Sequence, residues 1–206
     1  MIGSMIFATQ CAGCDVPGAP LCRTCRFALV ARVIPSAPAG VIAAVPFSGR
    51  ARQVLLGFKY RNRRAIAAHL AGLLVNRMAR SGTCVDVVTW APTSGRRRRS
   101  RGFDQAELIA RQVARQLGLP CRRLLERDGQ GDPQTGQRRA SRFRGPVFRA
   151  HPQVPRARVL VVDDVVTTGA TLASAATALR QAGAVDVVRA AVAATPAGQS
   201  SVRRVA

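Results

Sequence analysis

The stretch Val159-Leu160-Val161-Val162-Asp163-Asp164-Val165-Val166-Thr167-Thr168-Gly169-Ala170-Thr171-Leu172 decides the fold. The continuous apolar run Val159 to Val162 reads as a central strand buried on both faces, because a half-exposed strand would alternate. Residues 170–182 read as a helix stopped by Gly183. At the mouth of the strand stand two adjacent carboxylates, Asp163 and Asp164, and their mutual repulsion counts against stability. A ligand with paired hydroxyls accounts for them. Each carboxylate can accept a charge-assisted hydrogen bond from a ribose hydroxyl, and the pair favours positive charge developing at the anomeric carbon of the sugar. The loop that follows complements them. Gly169 permits a tight turn and close backbone approach, Thr167, Thr168 and Thr171 offer hydroxyls, and the start of the helix favours a phosphate. The competing reading is an ordinary strand-to-helix turn with polar caps. The missing Gly-Lys-Ser/Thr excludes a nucleotide P-loop.

Working outward, strand and helix patterns alternate from about residue 41. Val41 to Phe47 and Val85 to Trp90 read as strands, and Val185 to Ala193 as the last one. Ile66, Leu70, Leu73, Leu74 and Met78 share one helical face; Ala106, Ala110, Val113, Ala114 and Leu117 share another, closed by Gly118 and Pro120. Strands separated by helices predict an α/β domain with a mostly parallel sheet over residues 41–206. Ligands then bind at the carboxyl ends of strands, so the loops after Trp90 and Val162 are the places to look.

The 159–172 segment resembles the signature that binds phosphoribosyl diphosphate (PRPP) in type I phosphoribosyltransferases. That resemblance assigns Asp163 and Asp164 to the ribose, and Thr167, Thr168, Gly169, Ala170 and Thr171 to the 5′-phosphate. Trp90-Ala91-Pro92-Thr93-Ser94-Gly95 resembles the pyrophosphate loop of the same superfamily, which implies Pro92, Thr93, Ser94 and Gly95 as PRPP contacts. Arg101-Gly102-Phe103-Asp104-Gln105 resembles the Arg-Gly-Phe-Asn-Gln motif of the ComF family, phosphoribosyltransferase-like proteins associated with DNA uptake, with Asp104 in place of the usual Asn. Asp caps a helix as well as Asn does; a role needing the amide donor would not survive. Phe58-Lys59-Tyr60 resembles the Lys-Tyr element of that family. Lys59 and Arg101 join the acidic pair as catalytic candidates on this basis. Residues 127–148, rich in Arg and Gly, read as a long loop or hairpin, where Gln134, Gly136 and Arg142 fit the family pattern and its usual Asn is not reproduced.

Residues 1–40 read as a separate element and linker. Cys11-x-x-Cys14 and Cys22-x-x-Cys25 can supply four thiolates to one structural zinc ion, which would provide the folding energy of a segment too short for a core. The ComF family has a similar element. Disulfides or free thiols are the alternatives, and a cytoplasmic chain disfavours disulfides. Cys84 and Cys121 lack partners at such spacing and read as core residues, and His69 and His151 lie outside the recognisable loops.

Net charge is +22, and all basic residues but Lys59 are arginine. Such a field attracts polyanions, although aromatic residues at 4% do not interleave with the arginine runs, which argues against a base-stacking platform. Arg96 to Arg99 and Arg101 serve either the diphosphate or a nonspecific polyanion surface. No stretch reads as a signal peptide or membrane span, so the chain is expected in the cytoplasm. Two functions follow from the resemblance. One is transfer of a phosphoribosyl group from PRPP to a nitrogen nucleophile with release of pyrophosphate, with Mg²⁺ accompanying PRPP. The other is a non-catalytic accessory role in DNA uptake or repair, with single-stranded DNA on the basic surface. The acceptor and oligomeric state are not legible.

Overall fold

The computed structural model describes residues 9–30, 36–61, 64–128 and 146–196, apart from the side chains of Arg97 and Arg101. Gln134, Gly136 and Arg142 lie outside these residues. Strands β1 (Val41–Pro46), β6 (Asp186–Ala194), β5 (Arg158–Val166) and β2 (Val87–Trp90) form one sheet in that spatial order, every neighbouring pair parallel. Helices α2 (Gly49–Tyr60), α3 (Ala67–Arg80) and α5 (Gln105–Leu117) contribute to one hydrophobic cluster with Leu160 and Val162 of β5. Helix α6 (Ala170–Gln181) packs in a second cluster with Val159 and Val161. Alternate residues of β5 thus bury toward opposite helical layers, which is why its sequence is apolar without a break. Chain leaves β2 toward α5 on one face and leaves β5 toward α6 on the other. The crevice between those adjacent carboxyl ends is a topological switch point, where open α/β sheets bind ligands.

The strand carrying the acidic pair is longer than its sequence suggests. The apolar run ends at Val162, yet β5 continues through both aspartates to Val166, because β6 pairs with it to the end: Asp163 with Ala191, Val165 with Ala193 and Val166 with Ala194. On its other side the partner stops early. Trp90 pairs with Val162, and after the Ala91 N–H reaches the Val162 carbonyl (3.0 Å) the β2 chain turns away. Residues 163–166 therefore run past the end of β2 and leave a cleft between the two chains.

Helix α2 was not signalled by any clear periodicity, since five of its residues are buried (Ala51, Val54, Leu55, Gly57, Phe58), too wide a face for a simple stripe. It is covered on its outer side by the N-terminal cysteine element, whose helix α1 (Arg23–Leu29) follows the second cysteine pair. Cys11, Ala12, Leu21, Cys25 and Leu29 belong to the same hydrophobic cluster as Val54, Phe58 and Leu70. The element is therefore not coreless: it shares the core of the larger domain. Strands β3 (Leu125–Arg127) and β4 (Phe148–Ala150) form an antiparallel ladder, the described base of the expected hairpin. Among the described residues no helix is long and apolar enough to cross a membrane.

Candidate ribose-phosphate site and cysteine cluster

A cleft of about 240 Å³ opens where β5 outruns β2. Lys59, Pro92, Thr93, Asp163, Asp164, Thr167 and Thr171, all singled out from the sequence, line it, together with Asp104, Gln105 and Arg127. Thr168, Gly169, Ala170, Ser94 and Gly95 lie in the same two loops without lining the cleft itself. Arg101 ends the short helix α4 (Gly95–Arg101), in which Arg96, Arg98 and Arg99 are exposed and stand outside the cleft wall.

Asp164 follows Leu160 and Val162 in strand parity and so faces α2, where the Lys59 ammonium lies 2.9 Å from its carboxylate. Both side chains are largely buried, 16% and 12% exposed, so the pair is a strong local constraint rather than a surface contact. Lys59 is placed by its neighbours. Phe58 is fully buried and meets Phe103 edge to face at 5.9 Å between ring centres, and the Arg64 guanidinium covers Phe103 at 4.4 Å. Phe58 and Phe103 thereby lock the end of α2 to the turn before Asp104, bringing Lys59 and Asp104 to one cleft from positions 45 residues apart.

Asp163 accepts the Asp164 backbone N–H (2.8 Å). Burial, then the adjacent Asp164 charge, push its carboxyl up to about 8, with the Lys59 ammonium opposing them. The two aspartates are thus unlike: one is neutralised by an ion pair, the other holds its proton into the neutral range. Beyond them Gly169 has φ +81 and caps α6, and the Ala170 N–H donates to Thr168 Oγ1 (3.4 Å). A side chain at 169 would also press on Pro38, at 3.0 Å, so the linker before β1 lies against this loop.

Asp104 was weighed from the sequence only as a helix cap. It does cap α5, its Oδ1 accepting from Ala106 (3.0 Å) and Glu107 (3.4 Å). Its Oδ2 also accepts the Thr93 N–H at 2.8 Å, tying the 91–95 loop to the helix. An asparagine could not do both, because its second terminal atom is a donor. Burial raises the Asp104 carboxyl, and the three backbone N–H groups oppose that rise. Arg127 was missed altogether; only the antiparallel β3–β4 pairing brings it to the cleft.

The sulfur atoms of Cys11, Cys14, Cys22 and Cys25 lie within 4.8 Å of one another, and all four cysteines are free thiols. Tetrahedral zinc with bonds of about 2.3 Å needs sulfurs about 3.8 Å apart; Cys14 and Cys22 are at 3.7 Å. Gly13 and Cys22 N–H groups point at Cys11 Sγ, and the Cys25 N–H at Cys22 Sγ, each at 3.4 Å, as suits thiolates. The element is fastened to α2 by an Arg61–Asp15 ion pair, by Arg50 donating to the Gly13 carbonyl (3.2 Å), and by Gly57, where a Cβ would fall 2.1 Å from the Ala12 carbonyl oxygen. Cys84, expected in the core, is exposed, because the turn after α3 leaves it on the surface; Cys121 is half-buried against the first cluster. His69 contacts Arg26 and His151 faces Glu126, both away from the cleft.

Residues 104–205 match the family model of the phosphoribosyl transferase domain. The sheet is parallel and carries helices on both faces, as the sequence predicts. Proteins named DNA utilization protein YhgH, from Salmonella typhi and Salmonella typhimurium, are 34% identical over 137 residues, covering 63% of this chain and 60% of theirs. The match thus spans less than two thirds of those relatives. Similar solved structures include a glutamine PRPP amidotransferase from B. subtilis complexed with ADP and GMP (26% identity, 61% of this chain, 25% of that one, TM-score 0.43). An orotate phosphoribosyltransferase from Aeropyrum pernix is 21% identical over 71% of this chain and 68% of its own, with a TM-score of 0.39.

Proposed function

We propose that this chain is a PRPP-binding, phosphoribosyltransferase-like protein of the ComF family. In this reading it transfers a phosphoribosyl group to a nitrogen nucleophile with release of pyrophosphate, in the cytoplasm. The observation that carries the proposal is the cleft beyond β2, with the acidic pair on one wall, the Thr167–Thr171 turn at one end and the 91–95 loop opposite. Asp163 and Asp164 would bind the ribose hydroxyls, and the N-terminus of α6 with Thr167 and Thr171 would take the 5′-phosphate. Lys59 holds Asp164 in place and carries positive charge to the cleft; Arg127 brings a second cation from the hairpin. Catalysis would rest on positioning and on the acidic pair beneath a developing cationic sugar, whose charge would favour ionisation of Asp163. Two carboxylates, one of them already paired with lysine, suit Mg²⁺ bound chiefly through diphosphate oxygens and water. That ion would offset the charge of the departing pyrophosphate.

The cysteine cluster is read as a structural zinc site held by Cys11, Cys14, Cys22 and Cys25, with no ligand position left open for chemistry. We read residues 1–40 as the zinc element with its linker and 41–206 as the phosphoribosyltransferase-like domain. A second reading, accessory binding of single-stranded DNA in uptake or repair, is favoured by the +22 charge and by the DNA-utilization relatives. One experiment separates them: incubation with Mg²⁺, PRPP and a panel of nucleobases and amines, with pyrophosphate release followed. Release dependent on one acceptor supports the enzyme. PRPP binding in calorimetry without release supports the accessory role, and absence of PRPP binding refutes the site.

A further inference from the structure

The contact between Thr93 and Asp104 bears on which sugar phosphate the cleft prefers. A loop that receives a diphosphate works through backbone N–H groups directed at the anion. Here the Thr93 N–H, in the middle of the candidate diphosphate loop, is already used at 2.8 Å by Asp104 Oδ2. The acceptor is a carboxylate only 6% exposed, and it lines the same cleft as Asp163 and Asp164. An arriving diphosphate would meet a third acidic group at this end of the cleft and a donor turned away from it. The 5′-phosphate end, at the Thr167–Thr171 turn, carries no such group among the residues lining the cleft.

We propose that Asp104 is a specificity-determining positioning residue, which latches the 91–95 loop through the Thr93 N–H and lowers the preference of this cleft for a 1-diphosphate. Resting on the ribose-phosphate reading above, this means that the site discriminates weakly between PRPP and ribose 5-phosphate. Asn at this position keeps the helix cap, because one oxygen suffices for Ala106 and Glu107. Its amide NH₂ would replace the acceptor at Thr93. Two donors would then face the cleft where a closed donor–acceptor pair now stands.

The test compares wild type with Asp104→Asn by calorimetric titration with PRPP, ribose 5-phosphate and inorganic pyrophosphate, each with Mg²⁺. The ratio of PRPP to ribose 5-phosphate affinity should rise about tenfold or more in the variant, the scale of removing one nearby like charge at an effective dielectric of about 20. Pyrophosphate affinity should rise in parallel, while ribose 5-phosphate affinity changes little. Thr93 amide exchange, slow in the wild type, should accelerate in the variant; a residue acting only as a helix cap would change neither quantity. If Asp104→Asn folds poorly by thermal melting, Asp104→Ser also caps the helix without charge and should shift the same ratio. An unchanged or lowered ratio, with both sugars still bound, overturns this inference alone. If neither sugar phosphate binds the wild type, the ribose-phosphate reading itself falls.

Discussion

Single substitutions in the acidic pair should act on stability in opposite directions. From sequence, two adjacent carboxylates look equivalent, and replacing both by Asn looks harmless to the fold. The structure distinguishes them. Asp163 sits with its carboxyl raised to about 8 by burial and by Asp164. A folded-state value above the unfolded one means that the native state binds the proton more tightly. The associated stability is complete below about pH 4 and is lost as pH rises toward 8. Each pKa unit corresponds to about 1.4 kcal/mol. Allowing for screening of a half-buried group, Asp163→Asn should stabilise the protein by about 2 kcal/mol at pH 7.5. That gain should shrink as pH falls and vanish below about pH 4, where wild-type Asp163 becomes neutral in the unfolded state as well. Asp164→Asn does the reverse: it strands the Lys59 ammonium, 16% exposed, without its partner at 2.9 Å. Fully buried pairs lose about 3–5 kcal/mol when broken in this way; partial exposure lowers the expectation to about 1–3 kcal/mol. For a chain of this size the two variants should melt several degrees on either side of wild type. Calorimetric melts at pH 7.5 and pH 5 measure this, and PRPP titration of both variants shows whether each loses affinity. A charge-assisted bond contributes roughly 1.5–3 kcal/mol, so Asp164→Asn should cost about tenfold to a hundredfold, whereas the mostly protonated Asp163 makes a neutral bond and its loss should be smaller, about twofold to tenfold. If Asp164→Asn melts at or above Asp163→Asn at pH 7.5, the assignment of the ion pair and of the raised carboxyl is wrong.

Metal analysis of purified protein should find about one zinc per chain, and chelation should lower the melting temperature and expose α2 to hydrogen exchange, since the element covers that helix; a metal-free protein with residues 9–30 still folded refutes the assignment. Gly57→Ala should destabilise by more than about 1 kcal/mol and weaken metal retention, because its methyl group would collide with the Ala12 carbonyl oxygen; a neutral effect in urea melts would show that the element does not dock there. Any affinity for single-stranded DNA should fall steeply between 50 and 200 mM salt and depend weakly on sequence; salt-insensitive binding to one defined oligonucleotide would contradict a purely electrostatic surface.

Much of the site was legible because chemistry and spacing coincide along one short segment. Asp163 to Thr171 holds carboxylates, a turn glycine and a helix start within nine residues, so no knowledge of the fold was needed to bring them together. The cysteine pairs were legible for the same reason, and their sulfurs do converge. Other parts depend on contacts between distant residues. The strand under the acidic pair runs to Val166 because β6 continues to pair with it, a long-range hydrogen-bond ladder that local apolarity does not report. Lys59 stood out in sequence merely as a lone lysine among arginines; the packing of Phe58 on Phe103 is what delivers it to Asp164. Arg127 reaches the cleft through the ladder between β3 and β4, whose strands are only three residues long.

The sequence by itself determined the α/β alternation, the acidic pair with its Thr-Thr-Gly turn and the four-thiol cluster, since each rests on local periodicity or on residues close in the chain. Tertiary structure alone decided that the cysteine element shares the core of the domain through α2, and that Lys59 lies against Asp164, with no ion pair to Asp163 among the described residues. It also decided that Asp104 spends its second oxygen on Thr93. Those outcomes depend on which faces meet and which donor lies within about 3 Å of which acceptor, and chain order does not encode such distances until the core has closed.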